Sequence, residues 1–202
     1  MHNNPINIQE NNRCKWCGKD PLYQKYHDSE WGKPVRNDAT FFEFLILETF
    51  QAGLSWITIL RKREYFKIAF DNFDFKLISK YDNFKIQELL QNQGIIRNKL
   101  KIHSAITNAM FFMEIQHEFG NFSDYIWNFV DNQPVLHRPE INSNIPAITP
   151  LSDCISKDLK KRGFKFVGST VVYAFLQATG IVNDHTENCY LYSKKEGNKH
   201  LG

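Results

Sequence analysis

Cys14, Cys17 and His27 stand near one end of the chain, and His185 and Cys189 near the other. Thiolates and imidazoles suit a soft divalent ion such as zinc, and a tetrahedral site drawing one pair from each end would clip the fold together. In His185-Thr186-Glu187-Asn188-Cys189 the H-x3-C spacing lets both side chains reach one ion from a single helical turn or tight loop. Their partners are His27 and one of Cys14 or Cys17, a choice that spacing leaves open. Two thiolates and two neutral imidazoles leave the zinc site formally neutral, and closing so long a loop restricts the unfolded chain strongly. Such a zinc is structural, so chemistry on a substrate must lie elsewhere. Cys14-Lys15-Trp16-Cys17 has the form of a thiol-redox motif, but no strand precedes it and no βαβ pattern surrounds it.

Glu48 is the candidate for that chemistry. On a helix it follows Phe44 and Leu45 by one turn and precedes Ala52 by one, so it projects from an otherwise apolar stripe. It also lies towards the negative C-terminal end of that helix, where a carboxylate is disfavoured by roughly 0.3 to 1 kcal/mol. An acid in two unfavourable places marks a site. Trp16, Tyr23, Tyr26 and Trp31 crowd together upstream, interleaved with Asp20, His27, Asp28 and Glu30. Such a group serves as core packing or as a stacking pocket whose negative ring faces suit a flat, cationic ligand. Gln51-Ala52-Gly53-Leu54-Ser55-Trp56 follows Glu48; its small residues allow close backbone approach, and Leu54 is an apolar tip able to wedge between stacked groups.

The elements that must hold these residues read as helices throughout. Asp38 is the expected cap of a helix from Ala39 to near Gly53, and Ile86, Leu89 and Leu90 mark a helix that Gly94 stops. Ile102, Ala105, Ile106, Ala109, Met110 and Met113 lay an apolar stripe along a longer one. Thr149-Pro150 starts a helix that Gly163 stops; Ser169 opens another, ended by Gly180. Asn132 to Pro150, with four prolines, is the one long loop. The predicted class is all-α.

The chain has 202 residues, 42% hydrophobic and 23% charged, and suits one domain or two closely packed lobes. No segment reaches a membrane-spanning length, and Met1 to Asn12 is polar, which predicts a cytosolic protein with a loose N-terminal tail. A cytosolic setting makes the four cysteines ligands or buried apolar groups, with Cys154 read as packing. The net charge of +3 announces no polyanion by itself, but two basic runs stand out. Lys157, Lys160, Lys161, Arg162 and Lys165 form one; Arg61, Lys62, Arg63 and Lys67 form the other. Each is a solvated helix face or a phosphate-binding edge.

Arg13-Cys14-Lys15-Trp16, DPLYQKYHDSEWG (Asp20 to Gly32), LETFQAGLSW (Leu47 to Trp56), QGIIRNKLKI (Gln93 to Ile102), KKRGFKFVGSTVVYAFLQATGIVNDH (Lys160 to His185) and Cys189 together resemble the bacterial type I 3-methyladenine DNA glycosylases. The resemblance runs from Arg13 to Tyr192 in consistent order. It implies an all-α helix-hairpin-helix DNA glycosylase fold over residues 13–195, flanked by tails 1–12 and 196–202, with one structural zinc joining the two ends. It assigns the zinc to Cys14, His27, His185 and Cys189, which leaves Cys17 an extra thiol. It makes Glu48 the acid that takes up an extruded base among Trp16, Tyr23, Tyr26, Trp31 and Trp56. Gln51, Gly53 and Leu54 match the segment that fills the gap in the duplex, and Lys161, Lys165 and Gly168 belong to the DNA-binding hairpin region.

The activity so implied is hydrolytic removal of 3-methyladenine, with 3-methylguanine as a second candidate, from alkylated double-stranded DNA by a bacterial, cytoplasmic monomer. Asn183 stands where relatives in the wider superfamily carry a catalytic aspartate, and no lysine is placed as a nucleophile, so no strand-cleaving lyase activity is implied. Thr49 departs from the glycine expected in many relatives and adds a side chain beside Glu48. The rival class is a damaged-base-binding protein with the same zinc that captures without hydrolysing.

Overall fold

The computed structural model describes residues 12–137, 139–140 and 145–192. The expected tails lie outside the described residues except for Asn12, whose backbone carbonyl accepts from Tyr190 N–H at 2.8 Å. The helices are α1 (Pro21–Ser29), α2 (Asp38–Gln51), α3 (Trp56–Ala69), α4 (Phe75–Ile78), α5 (Asn83–Gln91), α6 (Lys99–Phe119), α7 (Phe122–Trp127), α8 (Pro150–Lys161) and α9 (Ser169–Ala178). None of the described helices is long and apolar enough to cross a membrane.

The predominantly helical expectation holds, with one addition inside the long loop. Val135–Leu136 (β1) pairs in parallel with Val182–Asn183 (β2). The loop runs against the chain leaving α9, and its backbone groups find partners there: Val135 N–H donates to Ile181 carbonyl at 2.9 Å and His137 N–H to Asn183 carbonyl at 3.3 Å.

α2 is the central element. Phe41, Phe42, Phe44, Leu45, Ile46, Leu47 and Phe50 are all buried, so this helix is apolar on every side and packs against α3, α6, α7 and α9. Two of its expected limits shift. The N-cap is Asn37, whose side chain accepts from Thr40 N–H, because Asp38 is drawn away. The Asp38 carboxylate accepts from Gln116 Nε2 at 2.6 Å and from the backbone N–H groups of Phe122 and Ser123, so it satisfies the start of α7 instead. At the other end the helix stops at Gln51, before Gly53, with Ala52 extended. α5 likewise ends at Gln91, ahead of Gly94, where Asn92 takes an extended conformation.

The starts of α8 and α9 follow the sequence closely. Thr149 and Ser152 form a reciprocal capping box ahead of α8 with Pro150 in its first turn. Arg162 to Gly168 then turns the chain into α9, and α8 and α9 pack on each other. Gly163 has φ of 104° beside the Phe111 ring, 2.4 Å from where a Cβ would stand, so the turn requires glycine on both counts.

Candidate functional site

α1, α2 and α9 come together around one cavity. Its walls are Trp16, Tyr23, Tyr26, Trp31, Glu48 and Trp56 on one side and Thr170, Tyr173, Ala174 and Gln177 of α9 on the other, with Gln51 and Ile145–Ala147 at the mouth; its volume is about 320 Å³. All five aromatic residues singled out in the sequence line it together with the acid. Trp16 is the hub, with ring centroids 5.0 Å from Tyr23 and 4.8 Å from Trp31, both edge-on, while Tyr26 meets Trp56 at 5.4 Å. Edge-on packing fixes each ring and leaves faces for a guest. The indole N–H groups of Trp16 and Trp56 are buried and have no hydrogen-bond partner among the described residues, so two donors await an acceptor.

Glu48 is 3% exposed, and burial pushes its carboxyl up to about 8. It is therefore mostly neutral at neutral pH until a cation arrives. Burial first, and then the Glu48 charge, drive the Tyr26 phenol well above its usual range, which keeps it a neutral hydroxyl. Thr49, the departure next to the acid, is fully buried and is not among the residues that line the cavity. Its hydroxyl finds no partner among the described residues, and that is a cost carried inside the core.

The loop after Glu48 is a closed turn. Leu54 N–H donates to Gln51 carbonyl at 2.6 Å, Gln51 Nε2 donates to Leu54 carbonyl at 2.7 Å, and Gly53 sits at φ of 84° with open space around it. The turn presents Leu54, 37% exposed. The segment between α8 and α9 is held from below by Asn108 of α6, fully buried, which donates to Lys165 carbonyl at 3.1 Å and accepts from Lys165 N–H at 2.8 Å. Lys161 and Lys165 are exposed. Gly168 is the N-cap of α9, with no side chain to occupy the free N–H groups there.

The two metal-type clusters meet. Ligand atoms of Cys14, His27 and Cys189 lie within 4.8 Å of one another, and all three residues are buried. His185 lies beside this group of three, its imidazole centroid 5.1 Å from that of His27. Its Nε2 is buried without a partner among the described residues, while its Nδ1 is held at 2.9 Å from Asn183 Oδ1. His27 is arranged in the same way: Nδ1 meets Asp28 Oδ1 at 2.9 Å, and Nε2 faces the two thiols, 3.4 Å from Cys189 Sγ. Each imidazole thus has its Nδ1 fixed by an oxygen, the usual outer arrangement of zinc-bound histidine, while Nε2 of His27 also accepts from Cys14 N–H at 3.4 Å. Burial lowers His185 to about 4, the neutral form a ligand needs. The thiol of Cys189 holds Cys14 down at about 4 and is itself raised, so the pair shares one proton. The donor set fits zinc. Gly32, at φ of 73°, passes so close that a Cβ would stand 2.6 Å from the His185 ring.

Cys17, expected as an extra thiol, is buried with its Sγ donating to Cys14 carbonyl at 3.1 Å. Other expectations are corrected. Cys154 is exposed on α8 rather than packed, because the buried positions there are Ser152, Ile155, Ser156 and Leu159. In the second basic run Arg63 bonds Glu30 and Glu43, Arg61 bonds Asp20, and Lys62 donates to the carbonyls of Gln93 and Gly94, whereas Lys67 is exposed. In the first run Arg162 is likewise committed, to Glu118 and Asp158.

Sequence reasoning missed the far wall. Thr170, Tyr173, Ala174 and Gln177 repeat at helical spacing on α9, a polar line inside an apolar helix that could have been read as a lining. Asp184, 1% exposed, braces that wall by accepting from Tyr173 Oη at 2.5 Å and Gln177 Nε2 at 2.6 Å. Nothing in its local sequence distinguishes it from Asn183 beside it.

Comparisons with known proteins agree with this geometry. Residues 16–192 match the profile of the methyladenine glycosylase family. DNA-3-methyladenine glycosylase 1 of Escherichia coli (strain K12) is 45% identical over 187 residues, covering 93% of this chain and 98% of the relative. A crystal structure of 3-methyladenine DNA glycosylase I superposes with a TM-score of 0.87 at 46% identity, covering 90% of this chain and 100% of that one. The Staphylococcus aureus 3-methyladenine DNA glycosylase I, solved to show the structural basis of 3-methyladenine recognition, gives a TM-score of 0.87 at 33% identity, covering 91% and 97%.

Proposed function

Since the chain belongs to the methyladenine glycosylase family, we propose that it excises 3-methyladenine from alkylated double-stranded DNA by hydrolysis, leaving an abasic site, with Glu48 as the group that receives the extruded base. The observation that carries this reading is a buried carboxyl in an aromatic cavity of base-sized volume, about 320 Å³.

A purine methylated at N3 carries positive charge while still attached to the sugar. Its glycosidic bond is already weakened, and it departs as a neutral purine without an acid to protonate it. The protein therefore acts by selection and electrostatics. Glu48 accepts hydrogen bonds from the amino edge of the base, and its ionised form favours the cation. Trp16, Tyr23, Tyr26, Trp31 and Trp56 enclose the purine, with cation–π terms of about 0.5 to 2 kcal/mol while charge remains. The free indole N–H groups of Trp16 and Trp56 suit ring nitrogens with lone pairs. Extrusion costs a few kcal/mol, less for a damaged nucleotide. Water then attacks the sugar carbon as the bond to the base breaks. Asn183 is an amide turned towards His185, so it supplies no base, and no lyase step is expected.

Leu54, carried by Gln51 and Gly53, enters the gap left in the duplex. The helix-hairpin-helix unit is α8, the turn after it and α9; Lys161 and Lys165 approach phosphates, and the free N–H groups after Gly168 face a phosphate oxygen. One zinc held by Cys14, His27, His185 and Cys189 is structural: bound there, it ties the start of the domain to its end. The chain works as a monomer on the DNA of a bacterial cytoplasm.

The test is to incubate the protein with methylated duplex DNA and identify released bases by chromatography, with Glu48→Ala alongside. Free 3-methyladenine is expected from the wild type, whereas the folded variant loses most excision. Near-normal single-turnover excision by Glu48→Ala counts against the assignment, and binding without release supports the non-catalytic rival.

A further inference from the structure

The QGIIRNKLKI stretch contains a buried lysine. Lys101 is 7% exposed in the first turn of α6, and its Nζ donates to Phe50 carbonyl at 2.8 Å and to Ala52 carbonyl at 2.7 Å. Those carbonyls belong to the last turn of α2, where the helix stops with Ala52 extended. The final carbonyls of a helix have no intrahelical donor and carry its negative end. Here a cation from another helix answers two of them, fifty residues away along the chain.

The contact sits at the base of the turn that presents Leu54. Gln51 and Leu54 close that turn on itself, but those bonds fix only its internal shape. Its attitude relative to the rest of the molecule depends on where Ala52 is held, and Lys101 holds it. Gly53, with nothing near its missing Cβ, offers no steric support. An ammonium with three donors on a flexible stem can bridge two carbonyls at once, and charge-assisted bonds of this kind are roughly twice as strong as neutral ones.

We infer that Lys101 is a positioning residue for strand opening: it braces the Gln51–Leu54 turn so that Leu54 can be driven into the base stack without the turn giving way. This rests on the reading of the cavity and turn as base-flipping apparatus. The role is confined to extrusion. The Lys101 ammonium is bonded to the Phe50 and Ala52 carbonyls and does not line the cavity, so capture of a free base should proceed without it.

The experiment compares wild type, Lys101→Met, Leu54→Ala and the double variant in two assays: binding of free 3-methyladenine, read by tryptophan fluorescence, and single-turnover excision from methylated duplex and methylated single-stranded DNA. Lys101→Met should bind the free base within about twofold of wild type, lose about tenfold or more in duplex excision, and lose less on single strands, where no stack must be opened. In the Leu54→Ala background the lysine substitution should cost little further, because the wedge it braces is already gone. Unchanged duplex excision, an equal loss of free-base binding, or fully additive losses in the double variant overturn the inference. If methionine prevents folding, Lys101→Gln, which keeps an amide donor on a shorter stem, is put through the same comparison with the same outcomes deciding. A wild-type protein that neither binds nor releases 3-methyladenine overturns the underlying reading as well, whereas an active wild type with an indifferent Lys101→Met removes the lysine alone.

Discussion

Asn183 Oδ1 accepts from His185 twice, from the backbone N–H at 3.1 Å and from the ring Nδ1 at 2.9 Å. The side chain that might have been mistaken for a degenerate catalytic acid is thus spent on orienting an imidazole. Removing such an outer partner typically costs 10- to 100-fold in metal affinity. On the proposed zinc site, Asn183→Ala should therefore lose the metal to a chelator at about that much lower concentration, while excision by the metal-loaded fraction stays near normal. Equal chelator resistance in the two proteins would show that the amide has no part in the metal site.

Cys14 and Cys17 are both buried and only three residues apart, yet they should behave differently. Cys14 faces His27 and Cys189, whereas Cys17 turns its sulfur to a backbone carbonyl. Cys14→Ala is expected to abolish stoichiometric zinc and lower the melting temperature by ten degrees or so, the scale of a few kcal/mol in a domain of this size. Cys17→Ala should keep both its metal and nearly all of its stability. Elemental analysis beside a thermal melt checks the pair, and zinc loss in the Cys17 variant would exchange their roles.

What could be read in advance was whatever the sequence holds locally. Thr149-Pro150 announced a helix start because capping is settled within four residues, and the Cys14, His27 and Cys189 side chains that the ligand types singled out do come together. Glu48 was visible because a carboxylate inside an apolar stripe has no local excuse. Long-range choices were not legible. Asp38 looked like the cap of its own helix and is instead taken by the start of α7, and Arg61, Lys62 and Arg63 looked like a basic edge until carboxylates and carbonyls from distant segments claimed them. Asp184, bracing the far wall through Tyr173 and Gln177, depends on contacts that only the folded chain creates.

The buried acid should leave its mark on stability. In the unfolded chain Glu48 titrates at its ordinary value of 4.5, and in the folded protein at about 8. Below the lower value both states hold the proton and burial of the group carries no ionic penalty. As pH rises between the two values the unfolded chain loses its proton while the folded one retains it, so stability falls across that window and stays reduced above it. Glu48→Gln has no proton to lose. The difference in unfolding free energy, variant minus wild type, should grow from pH 4.5 to 8 by an amount on the order of a few kcal/mol. Parallel stability curves from denaturant titrations would contradict a buried, elevated carboxyl.

Lys161 and Lys165 are exposed beside the turn into α9, whereas Arg162 between them is tied to Glu118 at 2.6 Å and Asp158 at 2.8 Å. Replacing either lysine with alanine should weaken binding to any duplex and flatten the plot of log affinity against log salt by about 0.9 for each phosphate no longer neutralised. Arg162→Ala should lower stability and leave that slope largely intact. An unchanged slope for both lysine variants would move the interface elsewhere.

Glu48, held near 8, has one more implication. While the protein scans intact DNA its pocket is electrically silent, so no standing negative charge opposes the approach of a polyanion. On the role proposed for Glu48, arrival of a cationic purine would tip the acid into its ionised form and send the displaced proton to solvent. Lesion capture would then be an exchange of one cation for another, visible as proton release in calorimetry. A neutral adenine swung into the same chamber would offer nothing to trade, so damage would be sensed by an ionic equilibrium as well as by shape.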